Sequence, residues 1–263
     1  MPPGVPPKSG LPVGDLPSQC SVTVDMPTPR SALAVGAHPD DVEFGCGATL
    51  AKWAAKGCAV HHLILTDGSR GSWDADADPA QIAAQREREQ RDAAVILGAG
   101  HVEILPIADG ELAAGIEERR RVCAVLREVR PDVVLGHDPW RRYRLHPDHR
   151  NAGWLVVDAI VAARDPHFHS DLGLAPHRPA ALLLFEPDEP NHVEDAGRFA
   201  DVKIAALLAH RSQYRSTHGI DEAAGPPGSQ VREFAERVRA QMASHGALAG
   251  LDCGEAFRLL DDI

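Results

Sequence analysis

After residue 30 the chain switches between two hydrophobic periods. Short apolar runs of the kind that form buried strands occur at 31–37, 59–66, 101–105, 132–135, 180–185 and 256–260. Between them, apolar positions recur at helical spacing. The first such stretch is 44–56, with Leu50, Trp53 and Ala54 on one face and Gly57 as a stop. The next is 79–97, with Pro79 in the first turn and Gly98 near the end. Further helical stretches are 116–129, 152–163, 201–210 and 231–243. Residues 67–78, rich in Gly, Ser and Asp, read as a loop. Strand and helix alternating through short connections predict an α/β domain, a mostly parallel sheet with helices on both faces. Ligands of such sheets bind beyond the carboxyl edge of the strands, where the strand order reverses. Residues 1–30 break the pattern with closely spaced prolines and read as an arm outside the regular core, leaving 31–263 as a single domain.

Composition narrows the function classes. The chain has 263 residues, 44% hydrophobic and 25% charged, as ordinary soluble proteins do. A formal net charge of -11 with no long basic block argues against nucleic-acid binding and against anionic membranes. No apolar run reaches the roughly 18 residues of a membrane span, and no signal-peptide pattern opens the chain, so a cytoplasmic location is expected. Five cysteines without a CxxC pair predict reduced, small apolar fillers. Gly45-Cys46-Gly47 lacks the third glycine of a dinucleotide loop.

The chemistry sits in two strings that follow predicted strands, Ala37-His38-Pro39-Asp40-Asp41 and His146-Pro147-Asp148-His149. His38 and Asp41 offer an imidazole and a carboxylate three residues apart, and His149 a third donor. Three protein ligands leave positions for water and substrate, as catalytic rather than structural metal sites do. Asp40, beside a ligand, is free to take a proton from water. His146 is free to polarise a carbonyl or stabilise an oxyanion. Asp148 is placed to hold an imidazole in one tautomer. Arg141, Arg142 and Arg144 crowd the loop before His146 and read as a basic rim offsetting nearby aspartates or as a site for an anionic substrate.

These strings resemble the PIG-L/LmbE family of metal-dependent N-acetylglucosaminyl deacetylases, whose signatures A-H-P-D-D and H-P-D-H they match. The resemblance runs from about residue 31 to the C-terminus, with support from Thr66-Asp67-Gly68, Asp109-Gly110 and Ala209 to Gln213. It implies a Rossmann-like fold, one zinc held by His38, Asp41 and His149, Asp40 as general base and His146 assisting the transition state. It also implies substrate contacts from Arg86 and Asp109. By their neighbours alone, Arg86 is as readily an exposed helical arginine and Asp109 a turn residue. Some family members carry a tyrosine two residues before the first His of the second string. Here that position is Arg144, with Tyr143 next to it.

The reading that follows is a zinc-dependent deacetylase acting on an amino sugar or N-acetylglucosamine conjugate, with ferrous iron as an alternative metal. Partners are then the small amino-sugar substrate and a possible second copy of the chain. An amidase acting on a thiol-sugar conjugate would use the same site. Two His and one carboxylate also form the facial triad of non-haem iron oxygenases, and a sugar-binding module without turnover is a third reading.

Overall fold

The computed structural model describes residues 22–221 and 228–263. One sheet contains β1 (Thr23–Val24), β2 (Ser31–Gly36), β3 (Ala59–Ile64), β4 (His101–Ile104), β5 (Val133–His137), β6 (Ala181–Phe185), β7 (His192–Glu194) and β8 (Glu255–Leu260). Their order is β1-β7-β8-β6-β5-β2-β3-β4. From β4 across to β6 every neighbouring pair is parallel. The chain moves outward from β2 through β3 to β4, then returns to the other side of β2 as β5. Strand order therefore reverses between β2 and β5, which opens a crevice at their carboxyl ends.

The helices are α1 (Asp41–Ala54), α2 (Pro79–Leu97), α3 (Ile116–Val129), α4 (Pro147–Arg164), α5 (Ala200–Ala209) and α6 (Gly228–Ala247). Local chemistry sets several of their ends. The Asp78 carboxylate accepts the Ala80 amide at the start of α2, and Gly98 closes it at φ 78°. Side chains of β2 alternate between two cores. Leu33 and Val35 pack with Leu126 of α3 and Leu155 and Val156 of α4. Ala32 and Ala34 face Val42, Leu50 and Trp53 of α1. A third core, with Leu207, Phe234 and Met242, joins α1, α5 and α6. Both faces of the sheet are thus covered, as parallel strands require. Each fully buried Leu or Phe contributes about 1.5–3 kcal/mol.

Four features depart from the sequence reading. Helix α1 begins at Asp41 rather than at 44, and α4 at Pro147 rather than at 152. The second string is therefore a helix start, not a loop: the His146 side chain accepts the Asp148 amide and Pro147 occupies the first turn. The last apolar run, β8, inserts antiparallel between β6 and β7. Part of the segment expected as an arm outside the core joins the sheet. Its residues 1–21 lie outside the described residues, but Thr23–Val24 pairs in parallel with β7. Thr23 and Asp25 donate their amides to Asn191 and Val193, so the prolines flank this short strand without interrupting its ladder. Cys46, Cys58 and Cys123 are buried free thiols. Among the described residues no helix is long and apolar enough to cross a membrane.

Candidate metal centre and active site

The end of β2 delivers His38, Asp40 and Asp41 into the crevice, and the first turn of α4 brings His146, Asp148 and His149 from the other side. Gly153 permits that approach: a Cβ there would lie 2.7 Å from the His137 carbonyl oxygen. His38 Nδ1 is 3.2 Å from His149 Nε2 and 3.5 Å from Asp41 Oδ2. His149 Nε2 is 3.3 Å from Asp41 Oδ1. Two ligands bound to a tetrahedral ion at 2.0–2.1 Å sit about 3.3 Å apart. The spacing and the N,N,O chemistry of this set therefore fit one divalent cation.

The surroundings orient these donors. His38 Nε2 faces Asp109 Oδ1 at 3.1 Å and Asp148 Oδ2 at 3.2 Å. Both are acceptors, so Nε2 carries hydrogen and directs Nδ1 toward Asp41 and His149. Gly110 N donates to the same Asp148 oxygen at 2.6 Å. Burial opposes charge on His38, but its hydrogen bonds to Asp109, Asp148 and Asp41 outweigh burial and raise its pKa well above the ordinary imidazole value. Burial likewise opposes charge on His149, and Asp41 raises it. Asp41 moves the other way: burial pushes up, but His149 and His137 hold it well below the usual carboxylate range. The carboxylates draw positive charge into this cluster, which a divalent cation supplies more compactly than imidazolium protons do.

Asp40 lies beside the set with its carboxylate 3.6 Å from Arg86 Nη2. Burial lifts its pKa to about 6, against the pull of Arg86 and with a push from Asp41. Its backbone is left-handed, φ 112°, a conformation that costs a non-glycine residue about 1–3 kcal/mol. His146 stands at the cavity wall, its ring 4.6 Å from that of His38. Its Nδ1 accepts the Asp148 amide, so neutral His146 carries its hydrogen on Nε2. Burial, together with His38 and His149, lowers its pKa and favours that neutral form.

The remaining assigned residues also converge here. Arg86 is buried, not exposed: Nη1 donates to Gly68 O at 3.1 Å and Nη2 to Pro39 O at 2.5 Å. The 67–78 loop lies directly on this guanidinium, since a Cβ on Gly71 would come within 2.2 Å of it. Asp109 is shared between His38 and, at 3.9 Å, Arg86. Asp148, predicted to hold an imidazole, holds that of His38. Trp73 is 76% exposed and lines the cavity. Tyr143 is 94% exposed, also at positive φ, and does not line the cavity. Arg141 pairs with Glu186 and Arg142 with Asp188, so each lies against an acidic neighbour.

Sequence reasoning missed His137 and Gln90, and it read Arg144 only as part of a basic rim or an anion site. His137, the last residue of β5, places Nε2 3.1 Å from Asp41 Oδ2. Arg144 turns inward, donates to His137 Nδ1 at 2.7 Å and pairs with Glu186 at 2.8 Å. Arginine only donates, so His137 Nδ1 is an acceptor and its Nε2–H points at Asp41. Burial lowers the His137 pKa despite Asp41, in keeping with this neutral form. Gln90 of α2 reaches the Asp40 amide. A histidine ending a central strand at the reversal point was the one available signal for His137. The cavity has a volume of about 620 Å³ and also includes Phe44, Arg70, Gln213, Ser216 and Thr217.

Comparisons with known proteins agree on one family. The family model PIG-L, described as GlcNAc-PI de-N-acetylase, matches residues 33–160. The diacetylchitobiose deacetylase of Thermococcus kodakarensis is 38% identical over 70% of each chain. The structure of N,N'-diacetylchitobiose deacetylase from Pyrococcus horikoshii superposes with a TM-score of 0.79 at 29% identity, covering 89% of this chain and 84% of that one. The 4-oxalmesaconate hydratase of Pseudomonas putida is 32% identical over 74% of this chain and 78% of its own. With both signature strings on one crevice and a relative this similar, the chain belongs to the PIG-L family.

Proposed function

We propose that this protein is a metal-dependent deacetylase that releases acetate from the nitrogen of an N-acetylated amino sugar or its conjugate. The observation that carries the reading is the convergence of His38, Asp41 and His149 on one point, with the free carboxylate of Asp40 beside it. His38, Asp41 and His149 would hold the ion, for which zinc suits the N,N,O donors and ferrous iron is the alternative. When bound, a divalent ion supplies Lewis acidity at the amide carbonyl and acidifies water. Asp40, with a pKa near 6, remains mostly ionised at neutral pH yet is a stronger base than an exposed aspartate. It accepts a proton from water as the new C–O bond forms and returns it to nitrogen as the C–N bond breaks. Nε2–H of His146 donates to the carbonyl oxygen as negative charge grows there.

The hydratase relative shows that related chains carry other water chemistry. The cavity favours a neutral, hydroxylated substrate over a polycarboxylate. Asp40, Asp41, Asp109 and Glu186 line it. Its two arginines are already engaged, Arg86 by carbonyls and carboxylates and Arg70 by Glu111 at 2.5 Å. The donors and acceptors of Gln213, Ser216 and Thr217, with Arg86 and Asp109, suit sugar hydroxyls.

The test is acetate release from N-acetylglucosamine, its dimer and its glycosides, with zinc and with ferrous iron, in air and under nitrogen. Metal-dependent turnover that persists without oxygen supports the reading and removes the oxygenase alternative. Asp40→Asn should keep its metal and lose about 10²–10⁴-fold in kcat. Absence of acetate release by the metal-loaded wild type across the panel, or wild-type kcat in Asp40→Asn, defeats the proposal.

A further inference from the structure

Asp40 occupies a backbone conformation that aspartate seldom adopts, φ 112° and ψ −24°. Such a conformation persists only where neighbours enforce it. Two side chains of α2 grip the peptide unit that leads into it. Arg86 Nη2 donates to the Pro39 carbonyl at 2.5 Å. Gln90 Oε1 accepts the Asp40 amide hydrogen at 3.0 Å. The two groups held are the C=O and the N–H of the same peptide. Arg86 and Gln90 are one helical turn apart and so share a face of α2.

The Gln90 amide can face only one way. Its Nε2 lies 2.8 Å from Glu43 Oε1 and 3.3 Å from His62 Nδ1. A carboxylate only accepts, so Nε2 is committed to Glu43 and the carbonyl oxygen is the end left for Asp40. Rotating the amide would set its NH2 group against the Asp40 N–H. Gln90 is fully buried and does not line the cavity. Its side-chain hydrogen bonds run to Asp40, Glu43 and His62, not to the three metal-directed side chains.

We infer that Gln90, oriented by Glu43, is a positioning residue for the reaction: it locks the Pro39–Asp40 peptide in the left-handed turn that presents the Asp40 carboxylate to the cavity. The inference rests on the reading of Asp40 as the base. It deepens that reading by assigning the backbone geometry of the base to a residue one helix away.

The experiment compares wild type with Gln90→Met, which keeps the length of the side chain and removes the acceptor. Metal per chain, kcat and KM are measured on N-acetylated sugars, with hydrogen–deuterium exchange of the Asp40 amide. The expected result is a kcat lower by about 10–100-fold, the range for orienting groups around a metal site. KM should stay within about twofold, metal content should be unchanged, and the Asp40 amide should exchange faster by about tenfold. A kcat within twofold of wild type overturns the inference. So does a loss of kcat that only tracks lost metal or a raised KM, since that is a general structural effect. Should Gln90→Met not fold, Gln90→Asn, one methylene too short to reach, is read by the same criteria. If the wild type itself releases no acetate, the functional reading fails separately. The exchange measurement then decides the backbone lock alone: unchanged protection of the Asp40 amide overturns it.

Discussion

The contact between Arg144 and His137 shows how much a single proton's position depends on an unremarkable neighbour. Histidine can present either nitrogen, and only the 2.7 Å contact with Arg144 leaves Nε2–H for Asp41. Arg144→Met removes that constraint. It also leaves Glu186 with Arg141 alone, at 3.1 Å. The expected outcome is a metal affinity lower by about 10–100-fold, read by competition with a chromophoric chelator. Unchanged affinity would show that the tautomer of His137 is immaterial. Trp73 poses a different question. Its ring packs against nothing that hides it, being 76% exposed at the cavity. Stacking on an aromatic face contributes about 0.5–1.5 kcal/mol. Trp73→Ala should therefore raise KM for a disaccharide about three- to tenfold with kcat nearly unchanged, in steady-state assays of acetate release. An unaltered KM would leave Trp73 without a substrate role.

Among elements, α4 has the most to lose from a small change. Its Gly153 lies so close to the end of β5 that a Cβ would meet the His137 oxygen at 2.7 Å and Pro139 N at 2.8 Å, both backbone atoms that cannot step aside. Gly153→Ala should push α4 off the sheet, destabilise the fold by about 1–3 kcal/mol and weaken metal binding through His149. Urea midpoints and chelator competition measure the two effects. A variant as stable and as metal-avid as wild type would refute the packing argument. Elements with their own punctuation were legible in the sequence: α2 has Asp78, Pro79 and Gly98, and its bounds follow from them. Helix α4 has Pro147 at its start, but its cap is a histidine side chain, which turn chemistry does not flag. The antiparallel position of β8 was not legible, because pairing between distant strands leaves no local trace. In the candidate site, the three proposed metal ligands and Asp40 stood in two short strings. His137 and Gln90 each meet Asp41 or Asp40 across the fold, and Arg144 acts one step further out through His137; beyond the strand-end position of His137, such contacts leave no local pattern.

At the scale of the whole molecule, the helical layer over one face of the sheet is closed around an uncharged histidine. His218 is buried in the third core, its ring 5.8 Å from Phe44 of α1 and 4.5 Å from Phe234 of α6. Neither ring nitrogen has a hydrogen-bond partner among the described residues. Burial first, and then His210 and Arg237, push its pKa down to about 3. The unfolded chain, with an imidazole near 6.5, binds this proton at a pH where the folded protein does not. Stability from keeping His218 neutral is therefore complete above pH 6.5 and is lost progressively as pH falls toward 3. At pH 5 the loss attributable to this group is about 2 kcal/mol. His218→Leu removes the proton site while keeping an apolar side chain. Its unfolding free energy, from urea titrations at pH 7.5 and pH 5, should fall less on acidification than that of wild type by about that amount. Groups distant from His218 are common to both proteins and cancel in the comparison. Equal acid sensitivity in the two would mean that protonating His218 does not open the layer joining α1, α5 and α6.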